Sequence, residues 1–243
     1  MSIKTKMLDV YKERGAVAVL QEGIPFVYYE WIRPHVPKQT RTIEFNQIET
    51  KSDDICWLDL FIPFYDPPWY TVSDPEYEAA AINALRKQVN PGDTTMVVGA
   101  GLGITAAVAA FQSGPDGSVI AFEGAKERFQ DAYRTIKHND LNDRISIHHG
   151  IVADAGKLYG SNKGSDIIKI SDLPDCDVLE MDCEGAEELI IPNLDIRPRI
   201  IIVETHGNKS KIYNELNQLG YTVVNSTKEN VGGIFVLTAI NGR

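Results

Sequence analysis

Residues 94–107 read Thr-Thr-Met-Val-Val-Gly-Ala-Gly-Leu-Gly-Ile-Thr-Ala-Ala. An apolar, β-branched run breaks into Gly99-x-Gly101-x-Gly103, and an alanine-rich segment follows at once. This pattern predicts a strand, a tight turn and a helix. Without a Cβ, the backbone at Gly99 and Gly101 can bend sharply and come close to a ligand. The helix that starts there points its first N–H groups at whatever sits in the turn. A dinucleotide fingerprint, G-x-G-x-x-G, would need glycine or alanine at position 104. Ile104 stands there instead, with glycine one place earlier at 103.

A chain of 243 residues, 43% of them hydrophobic, suits one α/β domain with an extra segment or two small domains. Its 24 basic and 34 acidic side chains leave a net charge of −10. That is a poor balance for gripping phosphates, so no nucleic-acid partner is expected. Cys56, Cys176 and Cys183 are odd in number and lack C-x-x-C spacing, so neither structural zinc nor a disulfide framework is expected. The first residues lack the apolar core of a signal peptide, and no apolar run approaches the length of a membrane span. A cytoplasmic setting is the expectation.

Along the chain, residues 1–22 have helical spacing of Val10, Val17, Val19 and Leu20. Residues 24–72 hold all three tryptophans and half of the twelve prolines. Within them, 40–48 and 55–62 alternate like short strands, and Tyr65 to Tyr70 must be irregular. We therefore set apart an N-terminal α+β extension, residues 1–73, which could cap the cleft of the domain formed by residues 74–243. Asp74-Pro75-Glu76 looks like the start of a helix running to about Gln88. Strands at 94–98, 118–123, 145–149, 177–182 and 199–205 then alternate with helices near 103–113, 125–139, 185–191 and 208–219. Such alternation predicts a Rossmann-like, mostly parallel sheet covered on both faces. Two final apolar strands, from Tyr221 and from Gly233, have no helix between them and should form a terminal antiparallel hairpin.

The predicted second strand, Ser118 to Glu123, ends in an acid 20 residues beyond Gly103. A carboxylate there could accept hydrogen bonds from both ribose hydroxyls of a nucleotide and would repel a 2′-phosphate. Gly99, Ala100, Gly101, Leu102, Gly103, Glu123 and the following Gly124 are thus candidate cofactor contacts. After the third strand, Val152 or Ala153 could offer an N–H and an apolar edge to an adenine, and Asp154 could accept from its amino group. An ordinary turn is an equal reading of that segment.

The fourth strand runs into Asp182-Cys-Glu184-Gly185-Ala186-Glu187, and the fifth ends in Glu204-Thr-His206. With the G-x-G-x-G turn, these residues make the chain resemble the FkbM family of class I methyltransferases, over about residues 74–239. Tyr77-Glu78, Pro91-Gly92-Asp93 and Phe122-Glu123 agree with the same family. The resemblance implies the class I methyltransferase sheet and S-adenosylmethionine as cofactor, with S-adenosylhomocysteine as product. It also implies transfer to a hydroxyl of a small molecule, sugar or glycoconjugate. One departure stands out: Val97 occupies the place of an aspartate that helps hold the cofactor's methionine ammonium group. Glu78 or Asp182 could substitute for it.

Methyl transfer from a sulfonium is an in-line displacement, so alignment and exclusion of water dominate, with a general base for a hydroxyl acceptor. Asp182, Glu184, Glu204 and His206 are all predicted at the carboxyl ends of adjacent strands, where open α/β sheets place ligands. The ordinary pKa of histidine makes His206 the first candidate base. Glu184 and Glu204 complete the catalytic candidates, although Glu184 could equally cap the helix after Gly185. The same acids and histidine permit a divalent metal without requiring one, and no metal ligand is assigned. Homo-oligomers are compatible with the sequence. Other readings are an NAD-dependent oxidoreductase, opposed by Ile104 and the terminal hairpin, and a cofactor-binding protein of this fold without activity. A base methylase of the amino type would carry Asn/Asp-Pro-Pro-Tyr/Phe after the fourth strand, where this chain has Asp182-Cys-Glu-Gly.

Overall fold

The computed structural model describes residues 11–12, 15–17, 19–20, 23–24, 27–37, 39–55, 75–152, 165–229 and 233–242. The chain divides into two compact units, residues 1–43 with 51–74 and residues 44–50 with 75–243. In the first part of the chain the described residues form helical turns at Tyr28–Ile32 and Arg33–His35, then strands β1 (Gln39–Phe45) and β2 (Ile48–Ile55). These two strands pair as a hairpin. The expected single strand over 40–48 is therefore broken. Asn46 and Gln47 have φ of 50° and 71°, the left-handed pair that a two-residue hairpin turn demands. The expected strand over 55–62 lies, beyond Ile55, outside the described residues, as do Trp57, Trp69, Ala153 and Asp154.

The larger unit carries one eight-stranded sheet. Its strands are β3 (Thr94–Val98), β4 (Ser118–Glu123), β5 (Ile145–Val152), β6 (Asp166–Ile168), β7 (Val178–Met181), β8 (Ile200–Thr205), β9 (Tyr221–Lys228) and β10 (Phe235–Asn241). They lie in the order β6-β5-β4-β3-β7-β8-β10-β9. All pairs from β6 to β8 are parallel, and β10 enters antiparallel between β8 and β9. The terminal hairpin thus does more than extend the sheet, because its second strand bonds to β8 while its first forms the edge. Short β6 was not expected, since Asp166-Ile-Ile168 has too few apolar residues to read as a strand.

Among the described residues five helices accompany the sheet: α1 (Ala79–Gln88), α2 (Ile104–Ser113), α3 (Lys126–His138), α4 (Glu187–Ile190) and α5 (Lys209–Gln218). Two differ from expectation. Residues 75–78 form turns, and α1 starts only at Ala79, where the Ala80 N–H donates to the Glu229 carboxylate at 2.9 Å. A distant acid thus takes the capping place expected of Asp74. Helix α4 has four residues because Pro192 tightens the chain into a turn at Ile191–Asn193.

Strands β7 and β8 are buried along their whole lengths, which explains the unbroken apolar run Ile200-Ile-Ile-Val203 of β8. Helix α2 is almost wholly buried, and its alanines let it pack closely. A Cβ on Gly103 would come within 2.9 Å of the Ala132 Cα on α3. Sheet order reverses around β3, with β4 on one side and β7 on the other, and ligands of open α/β sheets bind beyond such a switch point. Ile201 is fully buried in β8, so Ile201→Ala should destabilise the fold by about 2–5 kcal/mol. Val224→Ala, at an exposed position, should stay within about 0.5 kcal/mol, both read from urea unfolding.

Candidate active site

Beyond β3 the chain turns through Gly99, Gly101 and Gly103, with φ of 91°, 54° and 80°. A Cβ on Gly99 would lie 1.8 Å from the Asp182 carbonyl oxygen, so the ends of β3 and β7 meet only because position 99 is glycine. Gly101 is different. Its nearest neighbour on the Cβ side is the Tyr77 hydroxyl at 3.9 Å, so this side of the turn is open. The N–H groups of Gly99 and Ala100 donate to the Phe122 carbonyl at 2.9 and 3.0 Å. Glu123, buried at the end of β4, accepts from Gly101 N at 2.8 Å and from Ala125 N at 2.7 Å. That acid therefore ties the glycine turn to the start of α3, while each carboxylate oxygen keeps a lone pair. Leu102 is buried, as is Val152 at the end of β5. Gly124 lies against Ile151, whose Cγ1 would be 2.6 Å from a Cβ there.

The carboxyl ends of β7 and β8 bring the predicted acids together around one imidazole. His206 Nε2 lies 3.5 Å from Asp182 Oδ1, 3.6 Å from Glu204 Oε1 and 3.9 Å from Glu184 Oε2. On the other side of the ring, Nδ1 faces Glu187 Oε1 at 3.6 Å, an ionic contact slightly longer than a hydrogen bond. Glu187 is fully buried and accepts from Asn208 Nδ2 at 2.8 Å and from Gly185 N at 2.7 Å. Asn208 Oδ1 in turn accepts from the His206 N–H at 3.1 Å. Glu187 and Asn208 thus set the ring orientation, and neither was assigned a role from sequence. The signal lay in the last acid of Asp182-Cys-Glu-Gly-Ala-Glu187. Glu184 is largely exposed, and the Gly185 N–H that it was expected to cap goes to Glu187. Glu184 does stand out by its backbone, with φ of 52°, and Glu78 by its φ of 46°. Each of these left-handed non-glycine residues costs on the order of 1–3 kcal/mol, a strain found mainly at functional sites.

The electrostatics are lopsided. Burial, then repulsion from Asp182, pushes the Glu78 carboxyl up to about 8. Burial likewise lifts Glu204 to about 7 and Asp182 to about 6, despite the opposing pull of His206 on both. Glu180 in β7 is raised well above the carboxylate range by burial and by Asp182, Glu78 and Glu204. Glu187 goes the other way: burial works to raise it, but its contacts with His206 and Asn208 bring it below the ordinary value. The Glu187 contact, joined by Asp182 and Glu184, outweighs burial and raises His206 to about 9. At neutral pH the ring is an imidazolium and cannot accept a proton. Glu204, with its pKa near neutrality, is better placed to do so. Asp182, Glu204 and His206 each offer a ligand atom, all within 4.8 Å of one another. A divalent ion held by all three would have to displace the His206 proton.

Comparison with known proteins bears on the fold. The family profile of protein-L-isoaspartate(D-aspartate) O-methyltransferase matches residues 55–168. Precorrin-6y C5,15-methyltransferase from Geobacter metallireducens superposes with a TM-score of 0.53 at 18% identity, covering 72% of this chain and 92% of that one. Ribosomal protein L11 methylase from Lactobacillus delbrueckii subsp. bulgaricus gives 0.52 at 18% identity, covering 70% and 81%. Aeropyrum pernix fibrillarin, solved with natively bound S-adenosyl-L-methionine, gives 0.50 at 14% identity, covering 67% and 74%. The fold is that of the class I methyltransferases. Among the described residues no helix is long and apolar enough to cross a membrane.

Two outcomes test this geometry. Gly99→Ala should cost about 3 kcal/mol or more in urea unfolding, because its Cβ meets backbone and its φ is left-handed. The raised groups also set how stability varies with pH. A carboxyl raised on folding stabilises below its ordinary pKa of 3.8–4.5, and this is lost as pH rises through about 6 for Asp182, 7 for Glu204 and 8 for Glu78. The His206 contribution is complete below 6.5 and is lost through about 9. The melting temperature of the ligand-free protein should therefore fall from pH 5 to pH 9 at constant ionic strength, and Glu204→Gln should flatten that fall.

Proposed function

We propose that the protein is an S-adenosylmethionine-dependent O-methyltransferase of the FkbM type, acting on a hydroxyl of a small molecule or sugar. The observation that carries this reading is the set of raised carboxyls, half-buried Glu78 and Asp182 and buried Glu204, in the unit that carries the glycine turn. Glu78, Asp182 and Glu204 are driven up by burial and mutual repulsion. A dinucleotide brings a pyrophosphate, which these acids would repel. S-adenosylmethionine brings a sulfonium and an ammonium, which they would attract. The residues present fit that group in other respects. Gly101 carries no side chain to block close approach, and Glu123, which accepts from Gly101 N, would take the ribose hydroxyls. Ala100, Leu102, Gly103, Gly124 and Val152 would complete its surroundings.

When bound, the cofactor supplies an electrophilic methyl group. The protein's own share is to align the acceptor and manage its proton. We assign the acceptor's proton to Glu204, which is held near neutrality at the end of β8. His206 stays charged beside it, oriented by Glu187 and Asn208, and fixes the positions of Asp182 and Glu204. Glu184, exposed at the rim, would meet the acceptor as it enters. The net charge of −10 favours a neutral or cationic acceptor over a nucleic acid.

Calorimetry with S-adenosylhomocysteine and with NAD tests the first part of the reading. Binding of one S-adenosylhomocysteine per chain and no NAD is expected, and tight NAD binding alone would sink it. A methyl-transfer screen of sugars and small hydroxyl compounds with labelled cofactor would then identify the acceptor. With that acceptor, kcat/KM should rise through about pH 7 as Glu204 loses its proton and fall through about pH 9 as His206 loses its own. Glu204→Gln should remove the acidic limb and lower kcat by roughly 10²–10⁴-fold. An unchanged profile in that variant would take the base role from Glu204.

A further inference from the structure

Strand register places Val97 of β3 beside Glu180 of β7, and Glu180 beside Ile202 of β8. Residues paired in a parallel sheet project from the same face, so Glu180 stands one strand away from Val97 on the same side. Val97 is fully buried and apolar, at the position where the resembling family has its ammonium-holding acid. Nothing in the packing asks for an acid at 180. On that face its register partners Val97 and Ile202 are both fully buried and aliphatic. Glu180 itself is 1% exposed, and its Oε2 has no hydrogen-bond partner among the described residues. A buried carboxyl oxygen without a partner is costly in a ligand-free fold.

The charges acting on Glu180 after burial are Asp182, Glu78 and Glu204, which come from three separate places in the chain. Glu78 sits in the turn before α1 with a left-handed backbone, and Glu204 at the end of β8 has an unpartnered Oε2 of its own. Carboxyls gathered in this way repel one another unless a cation joins them. A primary ammonium has three N–H donors and one positive charge, which suits several carboxyl oxygens converging from different elements.

We propose that Glu180, together with Glu78, holds the α-ammonium group of the cofactor's methionine moiety, so that the acid absent at Val97 is supplied from the neighbouring strand. This rests on the S-adenosylmethionine reading above. The charge has moved from β3 to the paired position on β7, and the subsite lies on the same face of the sheet.

Calorimetry with two ligands separates the inference from the reading beneath it. S-adenosylhomocysteine carries the ammonium, and 5′-methylthioadenosine keeps the nucleoside thioether without the amino-acid end. Glu180→Gln should weaken S-adenosylhomocysteine roughly 10- to 100-fold, the loss of a charged hydrogen bond, and leave 5′-methylthioadenosine unchanged. Thermal melting of Glu180→Gln should show a folded protein, melting higher than the parent because a buried acid has gone. Val97→Asp added to Glu180→Gln should recover about tenfold in affinity for S-adenosylhomocysteine alone. Unchanged S-adenosylhomocysteine binding in Glu180→Gln, or equal losses for both ligands, would overturn the assignment of Glu180. Failure of the parent protein to bind either ligand would instead overturn the cofactor reading, and this inference with it.

Discussion

A Cβ on Gly99 would sit 1.8 Å from the Asp182 carbonyl oxygen, and the Asp182 N–H donates to the Val98 carbonyl at 3.0 Å. These facts describe one constraint: the last residues of β3 and β7 share a space with no room for a side chain. From that contact the rest of the site follows. It fixes where β7 ends, and therefore where Asp182 points. It also aims the glycine turn back across β4, whose final carbonyl and carboxylate take up the N–H groups of Gly99, Ala100 and Gly101. The glycine turn and the acidic cluster are thus two sides of a single strand junction.

That junction concentrates charge at the expense of stability. Asp182, Glu204, Glu78 and Glu180 all have raised pKa values, so each would ionise more readily in the unfolded chain than in the fold. Only His206 works against this among the groups that act most on Asp182 and Glu204. The ring is steadied by Glu187, whose carboxyl is brought low by its contacts with His206 and Asn208. Rigid support behind a destabilised cluster is what electrostatic preorganisation requires, because groups fixed in advance need not reorganise when a cationic ligand arrives.

Much of this architecture was legible in the chain. The parallel strands announced themselves because strands buried on both faces, such as Ile200-Ile-Ile-Val203, read as unbroken apolar runs. The glycine turn and Glu123 were legible because each depends on local spacing. Long-range effects were not. The start of α1 is set by Glu229, 149 residues away, so no local cap signal could reveal it. The turn at Asn46-Gln47 hid inside an alternating run, because asparagine accepts a left-handed backbone without a glycine to mark it. His206 has the right ordinary pKa for a base, but the carboxylates that hold its proton converge from β7, β8 and the segment opening α4, which only the fold brings together. Glu187 was overlooked for the same reason, since its work depends on Asn208 and His206 from the far side of β8.

Val97 shows how sequence position and structural position come apart. Against the pattern of the family that the chain resembles, Val97 stands where an acid is expected, and the glycine turn beside it looks incomplete. Across the sheet it has Glu180 as its register partner, and the neighbourhood holds more carboxyls than aliphatic packing can explain. A binding subsite is defined by where charge lies in space, and two adjacent parallel strands offer nearly equivalent points on the same face. An acid can therefore change strands while the subsite keeps its place, provided that its new site tolerates a buried carboxyl. Here burial and the neighbouring acids push Glu180 toward its neutral form. An arriving ammonium reverses that balance, because it favours the ionised form that the empty site suppresses.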